Sequence, residues 1–231
     1  MKNIMKTKRK IIVTGSEGIL GKEISKFFEK ENKILKLDLK LGHDLTDEEF
    51  VKNWFSKNHA DYLINCFVTN DHIDKKRNAK TLFEYDLDSF KNSVDVNVIS
   101  LFSVCREFAK NNNKGTIVNF SSIYGIQSPR PDMYENSHKE IGYCISKAGV
   151  INLSKYLATH LAPKIKVNCI VPGGILNNQD KKFVKNYSKL TPLQRMMKKN
   201  ELNGLIDFLC SEKSTYMTGS TIVVDGGYSI W

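Results

Sequence analysis

The sequence lacks the features that mark membrane-spanning, secreted and metal-binding proteins. No apolar run approaches the ~20 residues that a membrane helix needs, and the basic residues 1–10 include no apolar core of a signal peptide. The five cysteines are scattered and odd in number, without the paired spacing of a metal site. These absences predict a cytoplasmic protein with reduced thiols, no metal and no membrane partner.

The sequence also lacks a zinc-finger spacing, an aromatic RNA-binding signature and a long basic arm, although its net charge is +10. Because the basic residues are spread along the chain, a Lys-rich solvated surface is favoured over a polyanion site. A nucleic-acid-binding function would rest on the charge alone. We therefore predict no nucleic-acid partner, while an anionic small molecule remains compatible with the charge.

Strand-like and helix-like segments alternate along the 231 residues. The predicted strands are Lys10–Thr14, Ile34–Asp38, Tyr62–Cys66, Thr116–Phe120, Ile165–Val171 and Thr221–Val224, with a very short candidate at residues 41–44. The predicted helices are Gly18–Glu31, Asp47–Lys57 with Thr46 as N-cap, Asp86–Lys110, Gly142–His160 and Asn200–Cys210. This alternation predicts an α/β fold with a Rossmann-type doubly wound parallel sheet in three αβα layers.

No linker, repeat or low-complexity tract divides the chain, so we predict a single domain over residues 1–231. Residues 127–141 and 177–199 fit the alternation poorly and are predicted to form substrate lids. The helix from Gly142 is predicted to face the core with one apolar stripe. That stripe is Ile145, Ala148, Gly149, Leu153, Tyr156 and Leu157.

The turn after the first strand contains three glycines, Gly15, Gly18 and Gly21. Glycines there let the backbone approach a pyrophosphate, and the helix that follows supplies N–H donors and a positive dipole end. The spacing alone is weak evidence, because an ordinary tight turn can carry it. The strand before it and the helix after it favour a dinucleotide site.

Acidic residues near this turn bear on the choice of cofactor. Asp38 ends the second strand, where it can accept both ribose hydroxyls of NAD and repel the 2′-phosphate of NADP. Glu17 adds charge of the same sign, whereas Lys36 and Lys40 oppose it. We favour NAD over NADP; the alternative is that Asp38 only caps a turn. Asp44 can accept from the adenine amino group or remain a solvated loop carboxylate.

Tyr143 and Lys147 are four positions apart on a predicted helix and share one face. A nearby ammonium lowers the pKa of a phenol, so the pair can move a hydroxyl proton while hydride passes to nicotinamide. A surface pair is the alternative. Ser122 follows the strand end where ligands bind and can hold a substrate oxygen. Asn97 has either a specific polar role or an interhelical hydrogen bond.

Together, and in this order, these residues resemble the short-chain dehydrogenase/reductase family over essentially the whole chain. The marks are Thr14-Gly15-x-x-Gly18-x-Leu20-Gly21, Asp38, Asn97, Ser121-Ser122, Tyr143-x-x-Ser146-Lys147, Val167-Asn168, Pro172-Gly173, Thr218-Gly219 and Val224-Asp225-Gly226-Gly227. The resemblance implies a catalytic tetrad in which Tyr143 is the acid/base and Ser122 positions the substrate oxygen. Lys147 would hold the nicotinamide ribose and tune Tyr143, and Asn97 would support a water-mediated proton relay.

The resemblance also implies a nicotinamide cofactor and a homodimer or homotetramer. The backbone of Ile175 would meet the nicotinamide amide. The residues expected to bind the cofactor are Gly15, Ser16, Glu17, Gly18, Ile19, Leu20, Asp38, Asp44, Leu45, Asn65, Tyr143, Lys147, Pro172, Gly173 and Ile175.

Three departures from the family pattern concern the site. The loop after the third strand reads Asn65-Cys66-Phe67-Val68 instead of Asn-Asn-Ala-Gly, and Asn177 stands where a threonine is expected. Ser122 and Tyr143 are 21 positions apart, more than is common in the family. The extra residues fall around Arg130–Lys139, where an insertion is expected to lie over the substrate pocket.

The insertion, with Tyr134-Glu135, and the segment from Pro172 to Gln179 resemble bacterial oxidoreductases of surface-sugar pathways, including nonulosonic-acid and flagellin glycan modification. This implies a sugar-derived, anionic small-molecule substrate. The basic residues of the second lid can attract phosphate or carboxylate, or form a solvated helix face. They are Lys181, Lys182, Lys185, Lys189, Arg195, Lys198 and Lys199. His138 is a candidate substrate contact, although a loop histidine is more often inert, and Cys144 is predicted to pack.

The leading prediction is an NAD(H)-dependent oxidoreductase that interconverts a secondary alcohol and a ketone in surface-glycan biosynthesis. The alternative is a non-catalytic dinucleotide-binding sensor or scaffold on the same fold; Tyr143 and Lys147 are both present, which disfavours it. A dehydratase or epimerase with a retained cofactor is disfavoured because no separate C-terminal substrate domain is visible.

Overall fold

The computed structural model describes residues 8–70, 82–134 and 139–231. A parallel sheet with the order β2-β1-β3-β4-β5-β6 runs through these ranges. Its strands are β1 Lys10–Thr14, β2 Lys33–Leu37, β3 Tyr62–Asn65, β4 Gly115–Phe120, β5 Ile165–Pro172 and β6 Thr221–Val224. The prediction of a Rossmann-type parallel sheet is confirmed.

Helices connect the strands and flank the sheet. They are α1 Ile19–Phe28, α2 Glu48–Lys57, α3 Leu87–Val94, α4 Leu101–Asn111, α5 Ile141–Leu161, α6 Lys181–Lys189 and α7 Asn203–Leu209. Short 3₁₀ turns lie at Leu39–Leu41, Leu82–Glu84, Ile123–Gly125, Pro131–Met133 and Glu212–Ser214. Within the described ranges, no helix is long and apolar enough to cross a bilayer.

The core lies on both faces of the sheet, which explains why the strand sequences read as nearly continuous apolar runs. Alternate strand residues point to opposite faces. Ile12, Leu63, Ile117 and Val167 pack with α2, α4 and α5. Ile11, Ile64, Val118 and Ile170 pack with α1 and α7 on the other face.

Two local predictions near the second strand are wrong. Residues 41–44 form no strand, because Asp38 Oδ1 accepts the Lys40 N–H at 2.9 Å and starts the 3₁₀ turn Leu39–Leu41. The N-cap of α2 is Asp47 and not Thr46: Asp47 Oδ1 accepts from the N–H groups of the first turn at 2.9 and 3.1 Å. The Thr46 side chain instead donates to Asp44.

The long helix predicted over Asp86–Lys110 is interrupted. Between α3 and α4 the chain makes a π-helical turn at Asp95–Ser100, and Asn97 lies within it. Such turns are rare and occur often at functional sites. The regular pattern of apolar residues does not reveal this turn.

The apolar stripe predicted for α5 is wrong for three of its six members, Ile145, Ala148 and Tyr156, which are exposed. Ile145 and Tyr156 are 51% and 58% exposed. The buried face instead carries Gly142, Ser146, Lys147, Val150, Ser154, Leu157 and Ala158. Small residues bring α5 close to its neighbours, and the buried hydroxyls are satisfied by asparagines, with Ser154 accepting from Asn119 at 3.0 Å.

Candidate functional site

The candidate site lies at the edge of the sheet where the parallel strands end. The chain crosses from β2 to the opposite side of β1 to form β3, so the strand order reverses between β1 and β3. Ligands of open α/β sheets bind outside the carboxyl ends of strands at such a reversal. The residues singled out from the sequence follow β1, β2, β3, β4 and β5 at this edge.

The glycine turn after β1 is fixed by close backbone approach. Gly15 has a φ of 62°, and a Cβ there would collide with the backbone of Cys66 and Phe67. A Cβ on Gly21 would collide with the carbonyl of Gly15. The departure Cys66-Phe67 is therefore accommodated, because its backbone packs directly on the glycine turn.

The start of α1 offers donors to an anion. Gly18 is the N-cap and supplies no side-chain cap, so the first N–H groups of the helix stay available. The hydroxyl of Ser16 is fully buried and has no hydrogen-bond partner within the described residues. A cavity of ≈ 340 Å³ opens here, with Ile19 and Lys199 among its walls. These features fit the pyrophosphate of a dinucleotide.

Asp38 is buried and held in place at the end of β2. Its Oδ2 accepts the Glu17 N–H at 2.8 Å, and its Oδ1 accepts the Lys40 N–H. The carboxylate therefore does cap a turn, and it also joins β2 to the glycine turn. Each carboxylate oxygen has further lone pairs for a ribose hydroxyl. The Glu17 side chain pairs with Lys22 at 3.2 Å.

The residues expected near the adenosine use their side chains internally. Asp44 Oδ1 accepts from the N–H and the hydroxyl of Thr46 at 2.9 and 2.7 Å. Leu45 is buried in the core. Asn65 accepts from Thr14 at 3.0 Å and donates to Asn119 at 2.9 Å. Leu45 and Asn65 thus offer a cofactor only their backbone, while Asp44 Oδ2 accepts no hydrogen bond from the described residues.

Tyr143 and Ser122 are brought together across the 21 positions that separate them. The Ser122 hydroxyl favours a lower pKa of the phenol, but burial outweighs it and raises the pKa of Tyr143 to about 12. The lowered pKa expected from the sequence is therefore wrong for this structure. Ser122 also accepts the N–H of Tyr124 at 3.2 Å, which fixes its hydroxyl.

Lys147 is 5% exposed and lies beneath the same tyrosine. Its Nζ donates to the carbonyl of Phe120 at 2.8 Å and lies 5.7 Å from the centre of the Tyr143 ring. Burial lowers the pKa of Lys147 to about 8. The pair is therefore no surface pair: the strand end at Phe120 positions the ammonium next to the phenol.

Asn97 ties three elements to one another. Its Oδ1 accepts the Thr69 N–H at 2.9 Å, and its Nδ2 donates to the Thr69 carbonyl at 3.1 Å and to Ser146 Oγ at 2.9 Å. The π-helical turn is thereby linked to the loop after β3 and to α5. The interhelical hydrogen bond left open by the sequence is present, next to Tyr143 and Lys147 on α5.

The segment after β5 is held by its own side chains. Gly173 donates to the carbonyl of Val224 at 2.9 Å. Gln179 donates to the Ile175 carbonyl at 2.9 Å and accepts the Asn177 N–H at 2.7 Å. Asn177, which replaces the expected threonine, thus engages Gln179 through its backbone.

The insertion contacts the site with both of its described ends. Tyr134 is buried and shares a hydrogen bond of 2.7 Å with the hydroxyl of Tyr124. Lys139 places its Nζ 4.3 Å from the centre of the Tyr143 ring. Glu135 and His138 lie outside the described residues. Lys139 was missed from the sequence, although a cation four positions before Tyr143 was a visible signal.

The second lid contains α6 and packs through Tyr187, Met196 and Met197. Arg195 makes two bonds of 2.6 and 2.7 Å to Glu201 and is therefore committed to an ion pair. The other basic residues of the lid are exposed lysines: Lys181, Lys182, Lys185, Lys189, Lys198 and Lys199.

All five cysteines are free, and burial raises the pKa of Cys144 to about 11, in agreement with a packing role.

A glycine turn, a capping carboxylate and a serine–tyrosine–lysine group on one sheet edge define the class of nicotinamide-dependent α/β oxidoreductases. The family model described as enoyl-(acyl carrier protein) reductase matches residues 11–229. The chain belongs to the short-chain dehydrogenase/reductase family, and the predicted family is confirmed.

Individual relatives agree with this assignment. The chain is 31% identical to post-translational flagellin modification protein A of Campylobacter coli, over 92% of this chain and 84% of that protein. It is 30% identical to a 3-oxoacyl-acyl-carrier-protein reductase of Chlamydia muridarum, over 98% of this chain and 99% of the relative. A short-chain dehydrogenase of Leptospira borgpetersenii with bound NAD+ matches with a TM-score of 0.85 and 29% identity, covering 100% and 98% of the two chains.

Proposed function

We propose that the protein is an NAD(H)-dependent oxidoreductase that interconverts a secondary alcohol and a ketone. The observation that carries the proposal is the position of Tyr143, close to the Ser122 hydroxyl and to the Lys147 ammonium, on the sheet edge that carries the glycine turn. Asn97, Ser122, Tyr143 and Lys147 form the proposed catalytic group. A sensor or scaffold without chemistry would not need this buried arrangement.

The proposed roles follow from the contacts. The bound nicotinamide supplies or accepts the hydride. Tyr143 holds its proton at neutral pH, because burial raises its pKa to about 12, and this form can donate to the oxygen of a ketone. Ser122 orients that oxygen, and Lys147 stabilises the negative charge that Tyr143 acquires after the donation. Asn97 holds the loop at Thr69 and supports a water-mediated path for the proton.

NAD is the proposed cofactor, with NADP less favoured. A carboxylate fixed by two backbone N–H groups at the end of β2 would repel a 2′-phosphate there. The pyrophosphate would bind at Gly15, Ser16, Gly18, Ile19 and Leu20, and the nicotinamide along Pro172, Gly173 and Ile175. The negative charge of Glu17 would act in the same direction as Asp38 and disfavour a 2′-phosphate. The bound NAD+ of the Leptospira relative supports the same choice.

The proposed substrate is a sugar-derived or anionic molecule of surface-glycan biosynthesis. The flagellin modification relative supports this class. Beyond Ser122, the partly buried rings of Tyr124 and Phe183 pack against a buried cluster that contains the stacked pair Tyr187 and Tyr228. Flat aromatic surfaces and hydroxyl groups suit a ring with apolar and polar faces.

We further propose a homodimer or homotetramer. Ile99, Phe102 and Ile145 are 58%, 38% and 51% exposed on adjoining helical segments. An exposed apolar patch of this kind is suited to a symmetric contact.

One domain over residues 1–231 is supported by core clusters that join β1 to α7. Free thiols support a reducing, cytoplasmic location.

Cofactor binding to purified protein tests the proposal. NADH is expected to bind more tightly than NADPH, and Asp38→Ala is expected to reduce this preference; the surface variant Asp88→Ala is the matched control. Tighter binding of NADPH by the wild type would overturn the proposed cofactor but would leave the proposed oxidoreductase activity standing. Failure to bind either dinucleotide would overturn the proposed function.

A further inference from the structure

Two ammonium groups, and not one, lie against Tyr143. Lys139 Nζ is 4.3 Å from the centre of the ring, closer than Lys147 Nζ at 5.7 Å. Lys139 is the last residue of the insertion, and it lies two positions before Ile141, the first residue of α5. The insertion therefore adds a second cation to the proposed active site.

The Lys139 amine is held by a neutral amide. Its Nζ donates to Asn70 Oδ1 at 2.8 Å. Asn70 belongs to the loop after β3, next to Thr69, whose backbone is fixed by Asn97. Both Lys139 and Asn70 are thus tied to the residues around Tyr143. The amine has N–H groups beyond the one that it gives to Asn70, and the Asn70 amide supplies donors of its own.

Among the described residues around Lys139, positive charges outnumber negative ones. Burial is the main cause that lowers the pKa of Lys139 to about 8, and Lys147 acts in the same direction. Cys144 and Glu140 act in the opposite direction, but burial keeps the Cys144 thiol protonated. Two lysines thus face one carboxylate, that of Glu140. Lys139 is partly buried, and an excess of positive charge there is unfavourable, so a bound anion would relieve it.

We propose that Lys139 and Asn70 form a subsite for the carboxylate of a hydroxy- or oxo-carboxylic acid. This carboxylate would lie next to the carbon whose oxygen exchanges a proton with Tyr143. The subsite rests on the proposed function and adds the substrate class to it. One ammonium and one amide match the single charge and the two oxygens of a carboxylate. A phosphate, with up to two charges, would call for more cations than the described residues place here.

Binding to the NADH complex tests this subsite by calorimetry. The probes are carboxylates, each paired with an uncharged counterpart: gluconate with glucitol, galacturonate with galactose, and lactate with propane-1,2-diol. The wild type is expected to bind at least one carboxylate more tightly than its partner. Lys139→Gln is expected to remove roughly tenfold to hundredfold of that affinity, the range for a charge-assisted hydrogen bond. The neutral partner should bind the variant and the wild type equally.

Asn70→Ala should weaken the binding of the same carboxylates without removing a charge. This second variant keeps the test valid if Lys139→Gln does not fold. Lys114→Gln removes an exposed lysine at the opposite edge of the sheet and is expected to change nothing. A preference for carboxylates that survives in Lys139→Gln would overturn the subsite, as would equal binding of each pair by the wild type. If NADH binds but no carboxylate does, the subsite fails and the proposed function stands. If NADH itself does not bind, both fail.

Discussion

Asn97 donates to Ser146 Oγ at 2.9 Å and so joins a π-helical turn to the helix that carries Tyr143. The same amide makes two bonds to the backbone of Thr69. Asn97→Ala is expected to leave these buried groups without a partner and to lower the free energy of unfolding by about 1–3 kcal/mol. Urea unfolding measures this loss. Ser146→Ala removes only one of the bonds and should cost less; equal losses would contradict the central position of Asn97.

Removal of the Tyr143 hydroxyl tests the proposed chemistry. Tyr143→Phe keeps the ring between its neighbours but removes the proton that the substrate oxygen would receive. We expect kcat to fall by roughly 10²–10⁴-fold, the usual contribution of a positioned acid or base, while NADH binding measured by fluorescence is retained. Cys144→Ala, on the next residue, should leave kcat nearly unchanged. A Tyr143→Phe enzyme with wild-type kcat would assign the proton transfer to another group.

The sequence predicts the parts of the fold that local patterns decide. The bounds of β1 and β6 were predicted to the residue, because short apolar runs end there at turn-forming residues. The glycine turn was recognisable because a strand, a turn and a helix follow one another within a few positions. Tyr143 and Lys147 were recognisable because their spacing is helical.

Other features depend on contacts between distant parts of the chain. The π-helical turn at Asp95–Ser100 is stabilised by bonds from Asn97 to Thr69 and Ser146, and no local pattern encodes these partners. The buried face of α5 is set by the asparagines that satisfy its serines and not by its apolar residues. The position of Lys139 beside Tyr143 depends on its hydrogen bond to Asn70, which lies 69 positions earlier in the chain.

The glycine turn provides a test of backbone packing. A Cβ on Gly21 would collide with the Gly15 carbonyl, whereas a Cβ on Gly204 in α7 would meet nothing within 4 Å. Gly21→Ala is therefore expected to weaken NADH binding and lower the melting temperature. Gly204→Ala should instead stabilise the protein by about 0.4–1 kcal/mol, because alanine restricts the unfolded chain and suits a helix. Thermal unfolding and NADH titration of both variants separate the two effects.

Asp47 provides a test of the corrected helix cap. Its Oδ1 accepts from the N–H groups of Glu49 and Phe50. Asp47→Ala is expected to cost about 1 kcal/mol, the typical value for loss of an N-cap. Thr46→Ala should cost less, because the Thr46 hydroxyl is exposed and bonds only Asp44 among the described residues. A larger loss for Thr46→Ala in urea unfolding would restore the cap expected from the sequence.

The lowered pKa of Lys147 predicts how stability depends on pH. In the folded protein Lys147 loses its proton near pH 8, whereas in the unfolded chain it keeps the proton up to about 10.5. Between these values the unfolded state binds more protons, so this residue makes folding more favourable as the pH rises, and the stability it adds is lost as the pH falls through 8. Buried thiols such as Cys105, whose pKa is raised to about 12, act in the opposite direction at high pH.

The contribution of Lys147 is therefore isolated by comparing the wild type with Lys147→Met, because the thiols are common to both. The variant lacks the buried charge and is expected to be most stable relative to the wild type at neutral pH. This advantage should shrink as the pH is raised through the window above 8, where the wild-type amine becomes neutral in the folded state. Urea unfolding of both proteins across the window measures the difference. A difference that does not change with pH would mean that Lys147 keeps its ordinary pKa, despite its burial beside Phe120 and Tyr143.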